Sequence, residues 1–151
     1  MRRIDKIIIH CSATPEGRDV KMEAIRDCHV RVNHWSGIGY HYVIELDGFI
    51  AKGRDEETIG AHCQGHNLGS IGVCYIGGVA KDGKTPKDTR TSAQKQSLIK
   101  LLKSLKARYP SAIIYGHRDL SPDKNSNGVI EQSEWLKACP SFNAKDEYKD
   151  I

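Results

Sequence analysis

Two short, unbroken apolar runs limit the fold more than any other feature of this chain. They are Ile7-Ile8-Ile9, within IDKIIIHC (residues 4–11), and IGVCYI (residues 71–76). A strand with one wet face alternates apolar and polar residues, whereas a short continuous run is a strand covered on both faces. Residues 40–46 (YHYVIEL) do alternate; Asp47-Gly48 is a turn and residues 49–52 (FIAK) return, which is a hairpin. Residues 112–116 (AIIYG) make another strand, running into His117. Between the strands lie helix signals. Residues 20–33 carry Ile25, Cys28, His29 and Val32 at helical spacing, with Asp19 as the expected cap. Thr91 and Gln94 form a capping box for a longer helix. Its Leu98, Leu101, Leu102 and Leu105 make one stripe, and Pro110 stops it. Residues 79–90 read as a polar loop and 143–150 as a short closing helix. The expected fold class is α/β (α+β): a single domain with a central mixed β-sheet flanked by helices.

A chain of 151 residues suffices for one such domain with a real core. No apolar run approaches the roughly 20 residues that span a bilayer. Ile7–Ile9 is too short, and too close to Asp5 and Lys6, to be a signal-peptide core. The chain is therefore expected to be cytoplasmic when synthesised, without membrane insertion. Its net charge of +4 is mild and scattered, which fits a solvated surface and gives no ground for nucleic-acid binding. Five cysteines, an odd number without an export signal, argue against a disulfide framework. Cys28 and Cys74 sit in apolar contexts and are expected in the core.

His10 falls at the end of the first strand, His117 at the end of the last, and Cys139 after the final long loop. Two imidazoles and a thiolate suit zinc, and three protein ligands leave a fourth position open. Strand ends are also where sites in α/β sheets gather. Seven histidines allow many other pairings, so spacing by itself leaves the assignment open.

Several segments occur in an order that narrows the choice. They are IIIHCSAT (7–14), GYHYVI (39–44), GRDE (53–56), GAHCQGHNLGSIGVCYIGG (60–78), TSAQKQSL (91–98), GHRDLSP (116–122) and KACPSF (137–142). Together they cover nearly the whole chain, and it resembles the type-2 N-acetylmuramoyl-L-alanine amidases. That family takes in bacteriophage amidase lysozymes and animal peptidoglycan-recognition proteins, and the phage enzymes are the nearer match. The resemblance implies a peptidoglycan-recognition-protein-like fold. It places the zinc ligands on His10, His117 and Cys139, the catalytic tyrosine on Tyr40 and the catalytic lysine on Lys137. It also implies that the segment around His62 lines the substrate groove, so His62 is expected to contact substrate or support the site. Asn67 and Arg54 are further substrate candidates. His29, His34, His41 and His66 are expected to be structural or exposed.

One departure from the family pattern has chemistry of its own. The family commonly places its cysteine about eight residues after the second histidine, whereas 22 separate His117 from Cys139 here. The extra residues, 123–136 (DKNSNGVIEQSEWL), contain an EF-hand calcium-loop pattern. Asp123, Asn125, Asn127 and Glu134 would supply side-chain oxygens, Val129 its carbonyl, and Glu131 a direct or water-mediated ligand. Gly128 would allow the sharp turn. Pro122 argues against a helix entering the loop, and SEWLKA (133–138) is the segment that could be helical after it.

The resemblance thus implies a monomeric zinc amidase that cuts the bond between N-acetylmuramic acid and L-alanine in peptidoglycan. It would be a phage or prophage endolysin, acting on the cell wall after release; the pattern of the inserted loop, and not the resemblance, adds calcium as a second cofactor to be expected. A peptidoglycan-binding module without turnover is the alternative, and the intact ligand set speaks against it.

Overall fold

The computed structural model describes residues 2–151. Its main sheet contains β1 (Lys6–Cys11), β3 (Tyr42–Ile44), β4 (Ile50–Lys52), β5 (Ser70–Tyr75) and β7 (Ile113–Gly116). The strand order is β4-β3-β5-β1-β7. β1 runs parallel to both β5 and β7, and β3 runs parallel to β5. Only the β3–β4 hairpin is antiparallel, so the sheet is mixed as expected. A two-stranded parallel pair, β2 (Thr14–Pro15) with β6 (Gly78–Val79), lies beyond it.

Strand alternation divides the core into two layers. Ile7, Ile9, Ile71, Val73, Tyr75 and Ile114 share one face with α2 (Ser92–Arg108), and its Leu98, Leu101, Leu102 and Leu105 pack into that layer. The Thr91–Gln94 capping box forms, and the Gln94 amide also donates to the carbonyls of Ile44 and Ile76. One residue thus starts the helix and ties it to the end of β3 and to the residue that follows β5. The other face buries Val43, Ala51, Cys74 and Ile76 beneath Met22 and Ile38. β1 and β5 are therefore covered on both sides, as their unbroken runs require.

The helix expected over 20–33 is the main departure. α1 spans only Met22–Asp27 and passes into a π-helical turn over Cys28–Val32. Asp19 does not cap it; Asp19 pairs with Lys21, and the buried carboxylate of Glu45 accepts the Met22 N–H at 2.9 Å. Cys28 and Val32 are exposed, so Cys28 is not a core residue, whereas Cys74 is fully buried. The apolar stripe continues in sequence past the point where the helix leaves the sheet. The turn is held instead by the His29 ring, whose Nδ1 accepts the Gly39 N–H.

α3 (Ala144–Glu147) closes the chain. It is fastened by Arg90, which is buried, bridges Asp88 and Glu147, and stacks 3.4 Å above the Phe142 ring. All five cysteines are free. No helix among the described residues is long and apolar enough to cross a membrane.

Candidate metal centre and cleft

The same alternation delivers the site. His10 lies two residues beyond Ile8 and so points away from the α2 layer. Ile9 is in register with Gly116, which places His117 beside His10 on the same face. His117 opens a short 3-10 turn, His117–Leu120, anchored where the Gly116 N–H donates to the Asp119 carboxylate at 2.7 Å.

Cys139 arrives from the far end of the chain. The Arg118 N–H donates to its carbonyl at 2.8 Å, and Pro140 packs where Gly116 has no side chain. The ligand atoms of His10, His117 and Cys139 all lie within 4.8 Å of one another. The Cys139 Sγ sits 3.9 Å from His10 Nδ1 and accepts the Cys11 N–H at 3.2 Å.

The donor set fits a cation. Burial holds the His10 imidazole well below its usual pKa, with His62, His117 and Lys137 adding in the same direction. Burial, and then the charge of Lys137, brings His117 down to about 4. Both rings are therefore neutral near neutral pH and have a lone pair to give. The Cys139 thiol is pushed well up, first by its hydrogen bond with Cys11 and then by burial. A divalent ion would reverse that shift, because a coordinated thiol is deprotonated outright.

Tyr40 leans over the cluster, its ring centroid 5.1 Å from that of His10. It follows Gly39, whose α-carbon sits so close to the Ala61 carbonyl that a Cβ would meet the oxygen at 2.2 Å. Burial raises the Tyr40 pKa strongly, with Cys74, Cys139 and Cys11 adding to it, so the phenol stays protonated. Lys137 lies on the open side, beside His117, in the wall of a cleft of about 440 Å³. Trp35, His62, Gln64, Asn67, Leu120 and Leu136 line the same cleft.

The sequence candidates fare differently. His62 and Asn67 reach the cleft, but the Asn67 side-chain oxygen is engaged by the N–H groups of His62 and Cys63, each at 2.9 Å. Arg54 does not line the cleft; its guanidinium donates to the carbonyls of Ile38 and Ile59. Trp35, Leu120 and Leu136 were not anticipated. They are isolated apolar residues, Trp35 and Leu136 in loops and Leu120 at the end of the 3-10 turn, and nothing in their local pattern separates them from ordinary surface. His41 is buried and structural, its Nδ1 accepting the Gly72 N–H at 3.0 Å.

In the inserted loop, SEWLKA, the segment that could have been helical, forms no α-helix. One 3-10 turn, Gln132–Glu134, ends at an extended Trp135. That ring is held 4.0 Å beneath the Arg118 guanidinium instead of on a helix face.

Fold and site together define an α/β domain with two imidazoles and a thiol gathered at the rim of an open cleft. The model of the N-acetylmuramoyl-L-alanine amidase family matches residues 1–129. The endolysin of Escherichia phage T7 is 40% identical over 141 residues, covering 93% of this chain and 83% of that protein. A Haemophilus influenzae protein is 52% identical over 98 residues, 65% of this chain and 84% of its own. Among solved structures, the N-acetylmuramoyl-L-alanine amidase LysC from Clostridium intestinale superposes with a TM-score of 0.72 at 26% identity, covering 97% of this chain and 83% of that one. Bumblebee PGRP-SA shares the fold, with a TM-score of 0.74 at 21% identity and coverage of 99% and 83%. This chain belongs to the N-acetylmuramoyl-L-alanine amidase family.

Proposed function

We propose that the His10–His117–Cys139 cluster holds a zinc ion. We further propose that the protein hydrolyses the amide joining the lactyl carboxyl of N-acetylmuramic acid to L-alanine in peptidoglycan, as a phage or prophage endolysin. The observation that carries this reading is the convergence of three ligand atoms, from residues up to 129 positions apart, beside a cleft that also contains Lys137. When bound, zinc lowers the pKa of water toward about 7 and polarises a carbonyl. Water adds to the carbonyl carbon; the C–N bond then breaks and the amine leaves with a proton. The oxyanion formed on the way needs a donor or a positive charge. Lys137 supplies the charge from the cleft wall, and Tyr40 supplies an O–H that burial keeps protonated. His62 and Asn67 line the path of the substrate. A chain of this kind acts on the cell wall after its release from the cytoplasm.

Metal analysis of the purified protein, combined with digestion of sacculi by wild type and Cys139→Ser, tests the assignment. One zinc per chain and loss of stem-peptide release in the variant are expected. A variant that retains substantial activity refutes the cysteine ligand. Wild type that binds sacculi without cutting them makes the protein a recognition module.

We propose in addition that the inserted loop binds calcium. Asp123 Oδ2 accepts the Gly128 N–H at 2.8 Å, Asn127 Oδ1 accepts the Val129 N–H at 2.9 Å, and Gly128 has a φ of +82°. The Glu134 carboxylate is buried and accepts the Glu131 N–H at 3.0 Å along with the Lys124 N–H. This folds the two ends of the loop together. Asp123, Asn125, Asn127, Glu131 and Glu134, with the Val129 carbonyl, would complete an oxygen shell. Calcium would stiffen the segment that leads into Lys137 and Cys139. Calorimetry on chelator-treated protein decides: absence of both calcium binding and a rise in melting temperature removes the proposal.

A further inference from the structure

His62 makes a contact that a substrate-binding role does not call for. The His10 ring has two nitrogens with different surroundings. Nδ1 faces Cys139 Sγ at 3.9 Å, whereas Nε2 lies 2.9 Å from Nδ1 of His62. On its far side, His62 Nε2 lies 3.2 Å from the Ser70 hydroxyl, which in turn lies 3.5 Å from the Asn67 carbonyl. One assignment of protons satisfies the whole chain. If Nδ1 of His10 gives its lone pair to a metal, its Nε2 carries the hydrogen. His62 Nδ1 then accepts, His62 Nε2–H donates to Ser70, and the Ser70 hydroxyl donates to the Asn67 carbonyl.

The fold is shaped around this ring. A Cβ on Gly72, in the middle of β5, would come within 2.6 Å of the His62 ring, and a Cβ on Gly60 would do the same. Gly72 pairs with Ile8 in the register that places Cys74 beside His10, so the missing side chain opens the space next to the ligand. The two rings meet edge to face, at 4.9 Å between centroids and 86°. Such a packed contact sets the orientation of the His10 ring as well as its tautomer.

We propose that His62 is a positioning residue for the metal centre, holding His10 as the tautomer and rotamer whose Nδ1 faces Cys139 and His117. It acts through His10, with Ser70 fixing its own orientation. The inference rests on the zinc reading above but concerns a residue outside the ligand set.

The test compares zinc affinity, by competition with a chromophoric chelator, across wild type, His62→Asn, His62→Leu and Ser70→Ala. The side-chain oxygen of Asn can stand near the position of Nδ1 and still accept from His10, whereas Leu keeps bulk without an acceptor. His62→Leu is expected to weaken zinc binding by about 10- to 100-fold, the usual effect of losing such a partner. His62→Asn should remain near wild type, and Ser70→Ala should fall between. The thiolate-to-cobalt absorption of the cobalt-substituted protein should shift in the Leu variant and be restored in the Asn variant. Unchanged zinc affinity in His62→Leu, with a raised KM, would overturn the proposal and make His62 a substrate contact. Equal losses in Asn and Leu would reduce it to packing. Should His62→Leu fail to fold, unchanged affinity in Ser70→Ala would be decisive against it. A wild-type protein that binds no zinc refutes the zinc reading itself, a different result from any of these.

Discussion

The phenol of Tyr75 donates to the carbonyl of Pro140 at 2.6 Å, inside the core. Tyr75 ends β5 on the α2 side of the sheet, and Pro140 follows the proposed ligand Cys139. The bond therefore joins the hydrophobic core to the one proposed ligand that neither lies in a strand of the sheet nor directly follows one. Tyr75→Phe removes the donor and leaves a buried carbonyl unsatisfied, at a cost of about 1–3 kcal/mol. Urea unfolding should show that loss, and chelator competition should show weaker zinc binding. Full zinc affinity in a destabilised Tyr75→Phe would mean that the bond serves the core alone.

The buried histidines make stability depend on pH. His117 is held down to about 4 and His62 to about 3, each mainly by burial. Unfolded, both titrate near 6.5. Between those values the unfolded chain binds more protons than the folded one, so acid favours unfolding. The metal-free protein should keep its full stability above about pH 6.5 and lose it progressively as pH falls toward 4. Urea midpoints of chelator-treated protein at pH 7.5 and 5.0 measure this in a range where ordinary carboxylates stay ionised. Equal midpoints at the two values would contradict the assignment of neutral buried rings.

Lys137 projects its charge onto His117 and His10 from the cleft wall. If it stabilises the oxyanion, Lys137→Met should lower kcat by about 10²–10³-fold, the usual effect of removing one such group. KM should change little and zinc content not at all. A variant whose loss lies wholly in KM would show Lys137 binding ground-state substrate instead.

Thr91 starts α2 on the opposite side of the sheet from the site, where its hydroxyl accepts the Gln94 N–H at 3.1 Å. Thr91→Ala should cost about 1 kcal/mol in urea unfolding. Zinc content and the rate of sacculus digestion should remain those of wild type. An equal loss of zinc would show that the two faces of the sheet are coupled.

Much of this protein is written locally. The Ile7–Ile9 run, the hairpin turn at Asp47-Gly48, the Thr91–Gln94 box and the leucine stripe each depend on neighbours within about one turn or strand pair. All appear where the sequence places them. The site was legible in residue type, since the family's segments carry His10, His117, Cys139, Tyr40 and Lys137 by position. Where helix α1 would start was not legible, because a carboxylate distant in sequence, Glu45, accepts its first N–H. The surroundings of Arg54 were not legible either: its guanidinium meets carbonyls that only the folded loop brings near. The second nitrogen of His10 found its partner only when β5 offered Gly72 as empty space for the ring of His62. Local pattern determined which segments became strands and helices because backbone hydrogen bonding and side-chain period act over a few residues. Sheet register decided which side chains share a face and touch, because a shift of one residue turns every side chain of a strand to the other side.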